Sequence, residues 1–128
     1  MLTCGVWLTP RRLIAVPADD GAALHGYTAE RTDDGRWALL ASIEANVGLD
    51  VTIVVSQGLQ AADTLPRFVA RRGMSLLVAP EPLVLAAQRL VCGPRASARA
   101  LALMLTRLPL CPPLASQLLR FEMQLPLL

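Results

Sequence analysis

The chain has 128 residues, 54% of them hydrophobic and 17% charged, with a mean hydropathy of +0.48; this is the size of one domain with a substantial core and excludes a disordered segment. Twelve arginines, no lysine and ten acids leave a net charge of +2, too small by itself to identify a nucleic-acid partner. Cys4, Cys92 and Cys111 are odd in number and widely spaced, which excludes a closed disulfide framework and a zinc knuckle and points to a reducing, cytoplasmic setting.

Cys4 to Leu8 and Leu13 to Val16 are short apolar runs separated by Thr9-Pro10-Arg11-Arg12, a pattern that predicts a hairpin. No basic region precedes the apolar run, so no secretory signal is expected. The turn Asp19-Asp20-Gly21 leads into a third expected strand, Ala22 to Thr28. The periodicity then becomes helical. Asp33-Asp34-Gly35 offers a cap, Trp37, Leu40, Ala41 and Glu44 share a face that Leu39, Ile43 and Val47 widen, and Asn46 to Gly48 ends the helix.

Val51 to Val55 is a β-branched run expected to form a central strand buried on both faces. Thr64-Leu65-Pro66 starts a helix that Arg71-Arg72-Gly73 closes, and Met74 to Val78 is the next strand, so residues 51–78 form a strand-helix-strand crossover. Two further helices are predicted, Glu81 to Leu90 and Ala96 to Leu108, with Cys92-Gly93-Pro94 between them. Leu114, Leu118 and Phe121 share one face of a short helix after Pro112-Pro113, and the last residues, Leu125-Pro126-Leu127-Leu128, are apolar. Leu101 to Leu119 is apolar enough to test as a membrane span, which takes roughly 20 residues. It is broken by Arg107, Pro109, Pro112 and Pro113, and no span is expected.

This order of elements, over about Thr3 to Leu108, resembles the ribonuclease H-like fold, a mixed five-stranded sheet with helices on both faces shared by nucleases, integrases, resolvases and, in its core, the actin-like proteins. The resemblance implies, for its nucleases, carboxylates that hold two divalent cations, one acid lying in the first strand. Here the first strand reads Cys4-Gly5-Val6-Trp7-Leu8 and has no acid. Glu44 sits in a helix that would supply another ligand, but it also lies where a carboxylate reaches solvent or an arginine. Ser56 and Gln57 follow the central strand where an acid is expected, and Asp50 and Asp63 flank it. An actin-like ATPase needs glycine-rich phosphate hairpins, whereas the first hairpin holds Pro10 and no glycine. There is no phosphate-binding lysine motif. His25, the single histidine, has no motif that brings it to Cys4 or Cys92, and Ser56-Gln57-Gly58 lacks the context of a nucleophile elbow.

The charge is unevenly placed. Residues 1–64 hold four arginines and eight acids (−4), and residues 65–128 hold eight arginines and two acids (+6), together the net +2. Arg67, Arg71, Arg72, Arg89, Arg95 and Arg99 are therefore candidates for phosphate contacts, or the solvated faces of amphipathic helices, or a protein contact.

The expectation is a single α/β domain over residues 1–128 with a ribonuclease H-like sheet, and residues 109–128 as a tail that closes the core or docks on a partner. Its expected role is non-enzymatic association with another protein or a second copy through Leu114, Leu118 and Phe121. The alternative is a nucleic-acid-binding accessory domain using the six arginines, and a metal-dependent nuclease comes third. No catalytic residue, metal or cofactor is expected.

Overall fold

The computed structural model describes residues 1–58, 63–93 and 95–120. Leu2–Leu8 (β1) and Arg12–Asp19 (β2) pair antiparallel, with Leu2 opposite Asp19 and Leu8 opposite Leu13. The turn between them is closed twice: the Thr9 N–H donates to the Arg12 carbonyl at 2.9 Å, and the Arg12 N–H donates to the Thr9 hydroxyl at 3.0 Å.

The third strand is split. Ala22–Ala23 (β3) pairs with Ala18 and Asp19, while Tyr27–Glu30 (β4) pairs with Arg12 to Ala15. The gap lies opposite Val16 and Pro17, and Pro17 has no N–H to give a continuous ladder, although its carbonyl accepts from Leu24 N–H at 2.8 Å. The expected strand Ala22 to Thr28 is thus two strands on one edge of β2.

Thr32, rather than the Asp33–Gly35 segment, caps Asp33–Val47 (α1) by accepting from Gly35 N–H at 3.0 Å, and Asp33 and Asp34 suit the positive end of the helix. Gly48 ends it with a φ of 82°, a left-handed value that glycine adopts without a Cβ clash. Thr52–Ser56 (β5), Leu65–Arg71 (α2) and Ser75–Ala79 (β6) form the expected crossover, with β5 parallel to both β1 and β6. The sheet order is β3-β2-β1-β5-β6-β7, with β4 beside β3 on β2 and Leu119–Arg120 (β7) antiparallel on β6.

The period-two alternation of the central strands divides the core. On one face, Cys4, Val6 and Leu8 of β1 and Ile53 and Val55 of β5 meet Leu39, Leu40 and Ile43 of α1 and Leu65, Phe68 and Val69 of α2. Each fully buried Leu, Ile or Val side chain of this kind contributes about 1.5–3 kcal/mol of transfer free energy. On the other face, Val54 of β5 meets Glu81–Ala87 (α3) and Ala98–Arg107 (α4) through Leu83, Val84, Ala87, Leu101, Met104, Leu105 and, just beyond α4, Leu108. The α4 backbone lies directly on Gly5: a Cβ there would stand 1.8 Å from the Ala102 carbonyl oxygen. The Thr3 hydroxyl fixes the same helix by donating to the Thr106 carbonyl at 3.0 Å.

Two departures from the predicted helices matter. Gln88–Cys92 is a π turn continuing α3, closed where Gly93 N–H donates to the Gln88 carbonyl at 2.8 Å, so the predicted helix Glu81 to Leu90 is α-helical only to Ala87. After a 3-10 turn at Leu108–Leu110, the tail helix is four residues long, Pro112–Ala115 (α5), and the chain returns as β7. Among the described residues no helix is long and apolar enough to cross a membrane.

Candidate functional site

In open α/β sheets, ligands bind outside the carboxyl ends of the strands. At that end of this sheet β1 finishes at Leu8, β5 at Ser56 and β6 at Ala79. Because β2 is antiparallel to β1 and β4 antiparallel to β2, β4 also finishes there and delivers the N-terminus of α1.

Asp63 is the centre of this end. Its side chain is 1% exposed and accepts from Arg31 Nε at 2.7 Å, Arg36 Nε at 2.8 Å, Arg36 Nη2 at 2.8 Å and Leu65 N–H at 2.7 Å. Arg31 also donates to the Thr9 carbonyl at 3.3 Å, and Arg36 to Asp33 at 3.0 Å. The cluster therefore ties the first hairpin, α1 and the approach to α2 together. Burial works against ionisation of Asp63, but hydrogen bonds from Arg36, Arg31 and Leu65, with the Arg36 charge, hold its carboxyl below the usual aspartate value. Asp63 in turn raises the Arg36 pKa through its hydrogen bond, against the cost of burying the guanidinium.

A carboxylate offers about four lone-pair sites, and four donors fill them here, so Asp63 has none left for a cation. Among the described residues no three His, Cys, Asp or Glu side chains are grouped so as to hold a metal ion. Trp7, half-buried against the second core layer, stands in the first strand where an acid is missing, and Ser56 is buried at the end of β5. Glu44 accepts from Arg72 Nε at 2.7 Å, and the same guanidinium lies 5.7 Å from the Trp37 ring, which meets Phe68 edge-on. Glu44 thus fastens α1 to the end of α2. His25 is exposed with its ring 5.5 Å from that of Tyr27, while Cys4 and Cys92 belong to opposite core layers. Burial pushes the Cys4 thiol far up, which leaves it inert as a nucleophile.

The six candidate arginines fall into two groups separated by the sheet. Arg67, Arg71 and Arg72 belong to the α2 layer; Arg89, Arg95 and Arg99 belong to the layer of α3 and α4. Arg72 is engaged by Glu44, whereas Arg67, Arg71, Arg89, Arg95 and Arg99 are exposed and form no ion pair with the described residues. Arg99 reaches across to the split third strand, its Nη1 standing 2.6 Å from where a Cβ on Gly26 would lie. Leu114 and Leu118, expected as contact residues, pack on the second core layer of their own domain, and Phe121 lies outside the described residues.

No protein-family model matches the chain, and no curated protein is similar to it in sequence. Among solved structures it is similar to T. thermophilus RuvC in complex with a Holliday junction substrate, with a TM-score of 0.62 and 13% identity over 94% of this chain and 99% of that one. The fold is ribonuclease H-like. Within that fold this chain lacks the first-strand acid and the metal-holding group of carboxylates among its described residues, and its buried acid at the sheet's carboxyl end is neutralised by arginine.

The Asp63 cluster left no signal in the sequence. Its arginines stand 32 and 27 residues away, with no motif to link them.

Proposed function

We propose that this chain is a nucleic-acid-binding domain that contacts phosphates through arginine and does not cleave the backbone. One observation carries the proposal. From residue 82 to residue 120 the chain holds five arginines, Arg89, Arg95, Arg99, Arg107 and Arg120, and no acid, so beyond Glu81 at the start of α3 this stretch carries one sign of charge, on a fold similar to that of a protein solved on a Holliday junction. Arg89, Arg95 and Arg99 are exposed on that layer without an ion-pair partner among the described residues, so counterion release on phosphate binding is not offset by breaking an internal pair. The saturation of Asp63 supports the absence of cleavage, because two-metal hydrolysis needs carboxylate oxygens free to coordinate.

Branched DNA is the first ligand to test, with duplex and single strand as comparisons. Fluorescence anisotropy over a salt series should give an affinity that falls linearly in log-log form. The combined variant Arg89→Ala, Arg95→Ala, Arg99→Ala should flatten that slope by about 1 for each phosphate it no longer neutralises. An unchanged slope would remove these three side chains from the interface.

A further inference from the structure

We propose that Leu90 and Val91 form an apolar wedge that inserts between bases of bound DNA. The inference rests on the nucleic-acid function above and adds a mode of contact to it. Leu83, Val84 and Ala87 are the buried positions of α3, and an α-helix continued with the same period would bring residues 90 and 91 onto the buried face as well. The π turn prevents this. Its wider i to i+5 closure, fixed by Gly93 N–H on the Gln88 carbonyl at 2.8 Å and by a Gly93 φ of 76°, carries Cys92 into the second core layer instead. There the Cys92 thiol meets the Ala100 carbonyl at 3.8 Å and anchors the turn to α4.

The consequence is an unusual exposure of apolar side chains. Leu90 is 87% exposed and Val91 64%, with Leu85 one turn back at 50%. Two large aliphatic side chains held outward between the buried Ala87 and the partly buried Cys92 need a partner to offset their contact with water. The surrounding charge selects that partner. Arg89 immediately precedes the pair, Arg95 and Arg99 follow it, and no acid lies between Glu81 and residue 120, so along the chain the apolar tip is flanked by cations. A polyanion with an apolar interior has the complementary chemistry: arginines hold phosphates while Leu and Val side chains enter a base step and unstack it.

The test uses the full chain and a four-way DNA junction carrying 2-aminopurine beside the branch point, whose fluorescence rises when the base is unstacked. Leu90→Ala with Val91→Ala removes the wedge from an exposed site, and circular dichroism of the variant should match that of the native chain. Binding at low salt by both proteins, with the fluorescence rise seen only for the native chain, is the expected result. A rise of equal size with the variant, or binding by the native chain with no rise, would overturn the wedge and leave the nucleic-acid function standing. Loss of a native dimer in the variant, measured by light scattering without DNA, would assign the patch to a second copy and likewise overturn the wedge. Absence of junction binding by the native chain would overturn the nucleic-acid function itself, and the wedge with it.

Discussion

Replacing Asp63 with Asn keeps the side chain's shape and removes its charge, so it isolates what the buried carboxylate does for the fold. The amide presents one oxygen and one NH2 group where the carboxylate accepted four hydrogen bonds, and the NH2 must face a guanidinium or amide donor. Arg36, with its side chain 10% exposed, and Arg31, at 23%, would then keep their charges without the main neutralising partner. Removing one member of a buried pair costs about 3–5 kcal/mol, and the partial solvation of Arg31 places this case near the lower end. Since a domain's whole stability is about 5–15 kcal/mol, a loss of about 3 kcal/mol would be plain in urea unfolding as a shift of midpoint at unchanged slope. The pH dependence adds a second constraint. The Asp63 carboxyl is held below its ordinary value, so its contribution is full above the unfolded aspartate pKa and is lost as pH falls through the folded value. The gap between native and Asp63→Asn proteins should be constant from neutral pH down to the ordinary aspartate range and close below it. A loss under about 1 kcal/mol at neutral pH, the range of an exposed salt bridge, would refute the cluster as a structural tie.

Three further substitutions probe the frame around that cluster. Gly5→Ala should lower the thermal midpoint markedly, because its Cβ would meet the Ala102 carbonyl oxygen at 1.8 Å and push α4 off the sheet; overpacking typically costs about 1–3 kcal/mol, and an unchanged midpoint would contradict the contact. Glu44→Gln should change stability by less than about 1 kcal/mol, as its pair with Arg72 is partly solvated, and denaturant titration would show a larger loss if Glu44 had a buried role. Leu118→Ala should destabilise the chain without changing its oligomeric state in gel filtration, since Leu118 packs on its own second core layer; a change of state at retained stability would make that residue an interface.

What was legible in the sequence was whatever local pattern controls. The β-branched run at 51–55 marked β5, Gly48 marked the end of α1, and the sequence of strand and helix patterns was enough to give the ribonuclease H-like arrangement. Elements controlled by a partner elsewhere were not legible. Nothing in residues 22–28 shows that the strand must break, because the cause is Pro17 on the neighbouring strand. A two-residue strand such as Leu119–Arg120 has no period to read, and its identity comes from the edge of β6. Leu90 and Val91 carried the spacing of a buried helix face, and only the wider π turn reveals them as exposed. Of the candidate site, the absence of an acid from the first strand was plain in residues 4–8, whereas the neutralisation of Asp63 depends on Arg31 and Arg36 arriving from another part of the chain. The six arginines could be counted from the sequence, but their division between the two faces of the sheet required the topology.

The central claim, nucleic-acid binding without cleavage, is tested most directly by incubating the purified chain with an end-labelled four-way junction, with and without magnesium, and following both anisotropy and strand integrity across a salt series. Salt-sensitive binding with all strands intact in both conditions is the expected result. Magnesium-dependent cleavage that Asp63→Asn abolishes, or no binding at low salt, would contradict it.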